Sequence, residues 1–235
     1  PYRSVVTHGY VVDGEGKKMS KKLGNVVSLT DLTGRLGADV VRLWVSSENY
    51  RQDIRISDEI LTRMQDAYRR IRNTFRYMLG NLYDFGPDDA VPFAELEEAD
   101  RWALHRLQVL RDRMLQAYAD YEFHQIYHAV HNFCAVDLSS FYLDILKDRL
   151  YTFAAKSKER RAAQTVLADV LTDLLKLTAP ILPYTTDEAW QCLPAHLRDA
   201  ESVHLSQFPK AKPEYALDDA ATANWDGLLR MREMV

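Results

Sequence analysis

From Ser57 onward, apolar side chains recur at Ile60, Met64, Ala67, Ile71, Phe75, Met78 and Leu82. At about 100° per residue they fall within one narrow stripe, which commits the segment to a long amphipathic helix. Such a helix is stable only when its stripe is buried against other elements. Ser57 supplies an N-cap, Asp58 and Glu59 complement the positive helix start, and Gly86-Pro87 marks the expected end. The pattern repeats over Ala99–Ala119 through Trp102, Leu107, Leu110, Met114 and Tyr118, then over Phe123–Tyr151 and Ser157–Thr178. Pro180 and Pro183 interrupt it before a short helix at Thr186–Cys192, and residues 194–223 read as connection with a strand-like piece at Ser202–Leu205. Leu228–Val235 returns to an amphipathic helical pattern.

The N-terminal part has a different character. Ser4–Val12 is rich enough in β-branched residues for a strand, and Asp13-Gly14-Glu15-Gly16 is turn chemistry. Lys17–Asn25 reads as a mobile basic loop, Leu29–Leu36 and Ala38–Ser47 as short helices, and Asp53–Ile56 as a short strand. The expected fold is mainly α: a small α/β remnant at residues 1–56, then a helical bundle at residues 57–235. Pro1 begins within apolar strand material and Leu228–Val235 stops inside a helix pattern, so both ends are expected to be cuts in a longer protein.

With 235 residues the chain is long enough to bury a core without metal or disulfide staples. Its 47% apolar and 27% charged composition is that of a folded soluble protein, and no run of residues is long and apolar enough for a membrane span. Two cysteines cannot build a disulfide framework, and no signal peptide is visible, so a cytoplasmic location is expected. The net charge of −4 conceals an asymmetry: residues 1–80 carry 14 Lys+Arg against 9 Asp+Glu, while the remainder is acidic. A basic third suits a polyanionic partner.

That third contains Lys17-Lys18-Met19-Ser20-Lys21-Lys22-Leu23-Gly24-Asn25, with four lysines in six residues after a glycine-bearing turn. Flexible lysines act as point charges that can swing onto phosphates as their charge develops. By charge alone, a solvated lysine loop is the favoured explanation of the run. The residue order adds more: Lys18-Met19-Ser20-Lys21 with Leu23-Gly24-Asn25 resembles the second signature of class I aminoacyl-tRNA synthetases.

The resemblance continues through Thr7-His8-Gly9-Tyr10-Val11-Val12-Asp13, Gly37-Ala38-Asp39-Val40-Val41-Arg42-Leu43-Trp44 and Tyr50-Arg51-Gln52-Asp53-Ile54-Arg55-Ile56-Ser57. Tyr68–Thr74, Asp137–Tyr142 and Ala179-Pro180-Ile181-Leu182-Pro183 extend it across nearly the whole chain, nearest to the isoleucine enzymes. It implies a Rossmann-type catalytic remnant and a stem-contact segment ahead of an anticodon-binding bundle. It also implies ATP with Mg²⁺, tRNA(Ile) as partner, a monomer and no membrane. Lys18 and Lys21 would be the catalytic loop lysines, with Met19, Ser20 and Lys22 completing the ATP-binding set; Lys22 stands where the family usually has serine. The first class I signature, His-Ile-Gly-His, does not occur, so this piece is not expected to activate isoleucine alone. It also stops before any C-terminal zinc-binding cysteine cluster of the bacterial isoleucine enzymes.

On the helix from Ser57, Arg69, Arg72 and Arg76 share one flank of the apolar stripe, and Arg63 and Arg70 share the other. A row of arginines on a rigid helix can track RNA phosphates, or simply pair with acids of neighbouring helices. The class I resemblance favours RNA for Arg69, Arg72 and Arg76. His124, His128, His131 and Cys134 have helical metal-ligand spacing, but nothing supplies a second ligand cluster, and no bound metal is expected. Ser139-Ser140 lacks a nucleophile turn, and Gly14-x-Gly16 lacks the third glycine of a dinucleotide site. Two other readings stand beside a ligase piece: an RNA-binding module without catalysis, and a helical scaffold that binds protein only.

Overall fold

The computed structural model describes residue 2 and residues 4–234. In chain order the elements are β1 (Val11–Val12), α1 (Leu29–Leu36), α2 (Ala38–Ser47), β2 (Ile54–Arg55), α3 (Asp58–Gly80) and α4 (Glu98–Ala119). Then come α5 (Phe123–Asn132), a π-helical stretch (Phe133–Tyr142), α6 (Leu143–Ile145), α7 (Lys147–Tyr151), α8 (Lys158–Thr178), α9 (Pro183–Gln191) and α10 (Asp219–Glu233). No helix among the described residues is long and apolar enough to cross a membrane.

The helix from Ser57 forms as its sequence dictates. The Ser57 hydroxyl accepts from the Ile60 N–H, and Ala67, Ile71, Phe75 and Met78 of the stripe are buried. It ends at Gly80, earlier than Gly86-Pro87. The cause is tertiary: Gln164 of α8 donates to the Asn81 carbonyl at 2.8 Å, and Arg160 holds the Asp84 carboxylate at 2.7 and 2.9 Å. Both contacts draw the chain across to α8 while Leu82 stays in the core. The α8 helix is buried on nearly every side and is the axis around which α3, α4 and α9 pack.

The rod expected at Phe123–Tyr151 is not one α-helix. Phe133, Cys134, Leu138 and Tyr142 are all buried, yet on an α-helix they would spread over roughly half the circumference. Widening the turn to π geometry over Phe133–Tyr142 brings them onto a shared core face. Of Ser4–Val12, only Val11–Val12 forms a strand, paired in parallel with Ile54–Arg55, because the ladder partner is itself two residues long. Residues 1 and 3, ahead of that segment, lie outside the described ones. Ser202–Leu205 is a 3₁₀ turn at Val203–Leu205 instead of a strand, its Ser202 hydroxyl held by Asp187 at 2.6 Å. Helix α9 starts at Pro183, before the expected Thr186, since proline at the first helical position forfeits no hydrogen bond. Helix α10 begins at Asp219, inside the stretch expected to be connection, because the Asp218 carboxylate caps it by accepting the Ala221 N–H; it takes in the C-terminal pattern as far as Glu233, with Met234 as C-cap and residue 235 outside the described ones.

Two motifs that looked like independent markers meet in space. Asp39 of α2 is buried and accepts from the Thr185 N–H at 2.7 Å and the Thr185 hydroxyl at 2.6 Å, capping α9, whose own N-cap residue Leu182 supplies no side-chain bond. One turn on, Arg42 donates to the Pro180 and Ile181 carbonyls at 2.6 and 3.0 Å, just past the end of α8. Helix α2 therefore satisfies both a helix start and a helix end in the bundle, and so joins the N-terminal part to it. A small core of Leu32, Val41, Trp44, Ile54, Ile56 and Leu61 seals the joint, and Leu61 belongs to α3.

Candidate functional site

The basic loop is anchored at its base and open at its tip. Asp13 and Asn25 form the anchor. The Asn25 amide donates to Asp13 Oδ2 at 2.9 Å, and its oxygen accepts the Ser20 N–H at 2.9 Å. Asp13 Oδ1 accepts the N–H groups of Glu15 and Lys17 at 3.0 and 2.8 Å. The Asn25 hydrogen bond, followed by that of Lys17, holds the Asp13 carboxyl below the usual carboxylate range. Val12 forms an antiparallel bridge with Lys18, so the loop folds back on the strand that leads into it.

Beyond Ser20 the chain makes a 3₁₀ turn, Lys21–Leu23, capped by the Ser20 hydroxyl on the Leu23 N–H. Gly24 closes it with φ 66°, where a Cβ would be disfavoured. Thus the expected mobile loop has a fixed base and an ordered turn. Lys17 is tied to Glu15 at 2.6 Å. Lys18, Lys21 and Lys22 are exposed, and among the described residues none of the three forms an ion pair. Lys18 lies with its Nζ 5.7 Å from the Tyr10 ring centroid. Met19 packs against the small core, and Ser20 serves the turn, so within the matched motif three lysine ammonium groups are available to an anion. Asp13 and the role of Asn25 were missed in the sequence. Asn25 was readable only as the end of a motif, and its reach back to Asp13 spans twelve positions.

The arginine row occupies an exposed flank of α3. Arg69 is paired with Asp66 at 3.1 Å and Arg72 with Glu188 at 3.4 Å, both partners being exposed. Such pairs are weak and readily exchanged for phosphate contacts. Arg76 has no ion pair among the described residues. Arg72 and Arg76 border a cleft of about 210 Å³ between α3 and α9, floored by Phe75, Leu79 and Ala189. An apolar floor with a guanidinium rim suits an unpaired base beside its phosphate.

The other α3 flank brings Arg63 and Arg70 into a cleft of about 610 Å³ with Tyr127, His128 and His131. Burial depresses His128 and His131 below the ordinary histidine range. Cys134 is fully buried and its thiol is pushed up to about 12 by burial, so it stays protonated. Among the described residues no group of three or more His, Cys, Asp or Glu is placed to hold a metal ion.

An anchored lysine turn is thus joined by a helix clamp to a bundle with an arginine face. Solved structures share the fold. The LeuRS–tRNA–LeuAMS ternary complex of Agrobacterium radiobacter superposes with a TM-score of 0.69 over 89% of this chain and 24% of that one, at 23% identity. Mycobacterium tuberculosis methionyl-tRNA synthetase, solved with methionyl-adenylate, gives 0.67 over 81% of this chain and 38% of that one, also at 23% identity. The family of anticodon-binding domains of tRNA ligases matches residues 100–234, and this chain belongs to it. The family of class I tRNA synthetases (I, L, M and V) matches residues 1–57. Isoleucine–tRNA ligases of Desulforudis audaxviator and Geobacter sulfurreducens are each 52% identical to it, over 100% and 99% of this chain. That of Moorella thermoacetica is 52% identical over 100% of the chain. The chain spans about a quarter of the length of these relatives.

Proposed function

We propose that this chain supplies two working parts of an isoleucine–tRNA ligase: the loop that grips ATP phosphates during isoleucine activation, and the bundle that binds tRNA(Ile) near its anticodon. The division falls between residues 56 and 57. The observation that carries the reading is the loop itself, with its base pinned by Asp13 and Asn25 and Lys18, Lys21 and Lys22 exposed at its tip. The substrate is Mg²⁺-bound ATP. As the isoleucine carboxylate attacks the α-phosphorus and pyrophosphate departs, negative charge grows on the leaving phosphates. Lys21, on the capped turn, and Lys18, at the loop's ascending arm, stabilise that charge electrostatically and form no covalent bond with substrate. Lys22 adds a third ammonium beside them. The surrounding ligase is read as a cytoplasmic monomer.

On the bundle, Arg69 and Arg72 exchange their exposed acidic partners for tRNA phosphates, and Arg76, which has no ion pair among the described residues, takes one directly. Filter binding of tRNA(Ile) over a salt series tests this. The triple change of Arg69, Arg72 and Arg76 to Ala is expected to weaken binding at least ~10-fold and to reduce the slope of log K against log salt by about 2. An unaltered affinity and slope would remove the arginine row from the interface.

A further inference from the structure

The segment between α2 and β2 touches the bundle on one side and the loop's strand on the other. On the bundle side, Tyr121 is the one non-glycine residue with positive φ, 57°, among the described residues. It follows Asp120, the C-cap of α4, at a position where glycine is the usual solution. The Tyr50 hydroxyl donates to the Tyr121 carbonyl at 2.8 Å, and Arg51 Nη1 lies 2.6 Å from Glu122 Oε1. The Tyr50 and Phe123 rings stand 5.9 Å apart.

On the strand side, the Gly9 N–H donates to the Tyr50 carbonyl at 2.8 Å, and the Tyr10 N–H donates to Asp53 Oδ1 at 2.7 Å. The approach is so close that a Cβ on Gly9 would lie 2.2 Å from the Gln52 oxygen. Three residues beyond Gly9, Val12 bridges Lys18. A continuous bonded route therefore runs from the α4–α5 corner through Tyr50 and Gly9 to the first motif lysine.

We propose that Tyr50 and Arg51 are positioning residues that hold the phosphate loop in register with the bundle, so that tRNA bound to the bundle alters the order of the loop. This rests on the tRNA-binding reading above. A two-residue strand pair fixes β1 only weakly, so the strap supplies the remaining constraint. The left-handed Tyr121 peptide is the element with two arrangements: bonded to Tyr50 and held, or released towards the conformation that L-residues prefer. Glu122, at the start of α5, faces both Arg51 and His124, at 2.6 and 3.5 Å, so movement of that helix start reaches the strap directly.

Hydrogen exchange of the chain, with and without an unmodified tRNA(Ile) transcript, tests the proposal. In the native sequence tRNA should slow exchange across residues 9–25 by about fivefold or more. In the Tyr50→Phe/Arg51→Ala double variant that response should vanish while tRNA affinity is unchanged, and Arg51→Lys should retain it. A strap that merely stabilised the fold would raise exchange without RNA yet leave the response to tRNA intact. That result overturns the proposal, as does tRNA that binds the native chain without slowing the loop. Failure of tRNA to bind at all would instead overturn the functional reading of the bundle.

Discussion

On the proposed function, replacing Lys21 by alanine in a full-length protein that carries this segment is expected to lower kcat for isoleucine-dependent ATP–pyrophosphate exchange about 10²–10³-fold. The expectation follows from where Lys21 sits. Its backbone opens the 3₁₀ turn capped by Ser20, and its carbonyl receives the Gly24 N–H, so its position is fixed while its ammonium is exposed. A charge held ready for the departing phosphates acts mainly in the transition state, so KM for ATP should change much less than kcat. Lys22→Ser, which removes the third ammonium, should lower the rate much less than Lys21→Ala, because Lys18 and Lys21 remain. Rapid exchange by the Lys21→Ala enzyme would remove this loop from the chemistry.

The largest effect on stability is expected at the buried pair Asp100–Arg149. Asp100 is fully buried, and Arg149 holds it in a two-pronged contact at 2.9 and 2.8 Å. The Tyr142 hydroxyl donates to the same carboxylate at 2.6 Å, and burial, followed by the charge of Asp100, holds that phenol well above its usual range. Arg149→Met leaves the carboxylate buried with its counter-charge gone, which should cost about 3–5 kcal/mol. Changing both, Asp100→Leu with Arg149→Met, should recover part of this. The recovery stays partial because the Tyr142 hydroxyl and the Glu159 carbonyl, which accepts from Arg149 at 2.9 and 3.1 Å, lose partners too. Urea unfolding measures both variants; a single variant within about 1 kcal/mol of the native chain would contradict this account.

Much of this was legible from residue order, for identifiable reasons. Helices α3 and α4 announce themselves because each buries a face whose period the sequence carries, and α8 because apolar residues run through it on nearly every side. The lysine loop was legible because its residues are contiguous. What escaped notice depends on partners distant in sequence. Asn25 looked like a motif terminus, yet it secures the loop through Asp13. Asp39 and Arg42 read as family markers, and their work on the ends of α9 and α8 appears only when positions 146 and 139 residues apart meet. The expected strand at Ser4–Val12 shrank to two residues because β-branched composition shows extended character but cannot supply a ladder partner. The π stretch is not legible in an α-helical period, because Phe133, Cys134, Leu138 and Tyr142 share a face only in the wider turn.

The metal-ligand spacing of His124, His128, His131 and Cys134 shows the reverse case. The spacing is real, but Cys134 turns into the core while His128 and His131 line the α3–α5 cleft. The shared flank of Arg69, Arg72 and Arg76 was readable from helical spacing alone, and the structure leaves all three exposed, two of them paired with exposed acids.

The most direct test of the central claim is nuclease footprinting of tRNA(Ile) with this chain. The account predicts protection of the anticodon stem–loop at low salt, fading as salt is raised. Cleavage of that stem–loop unchanged by saturating protein would contradict it.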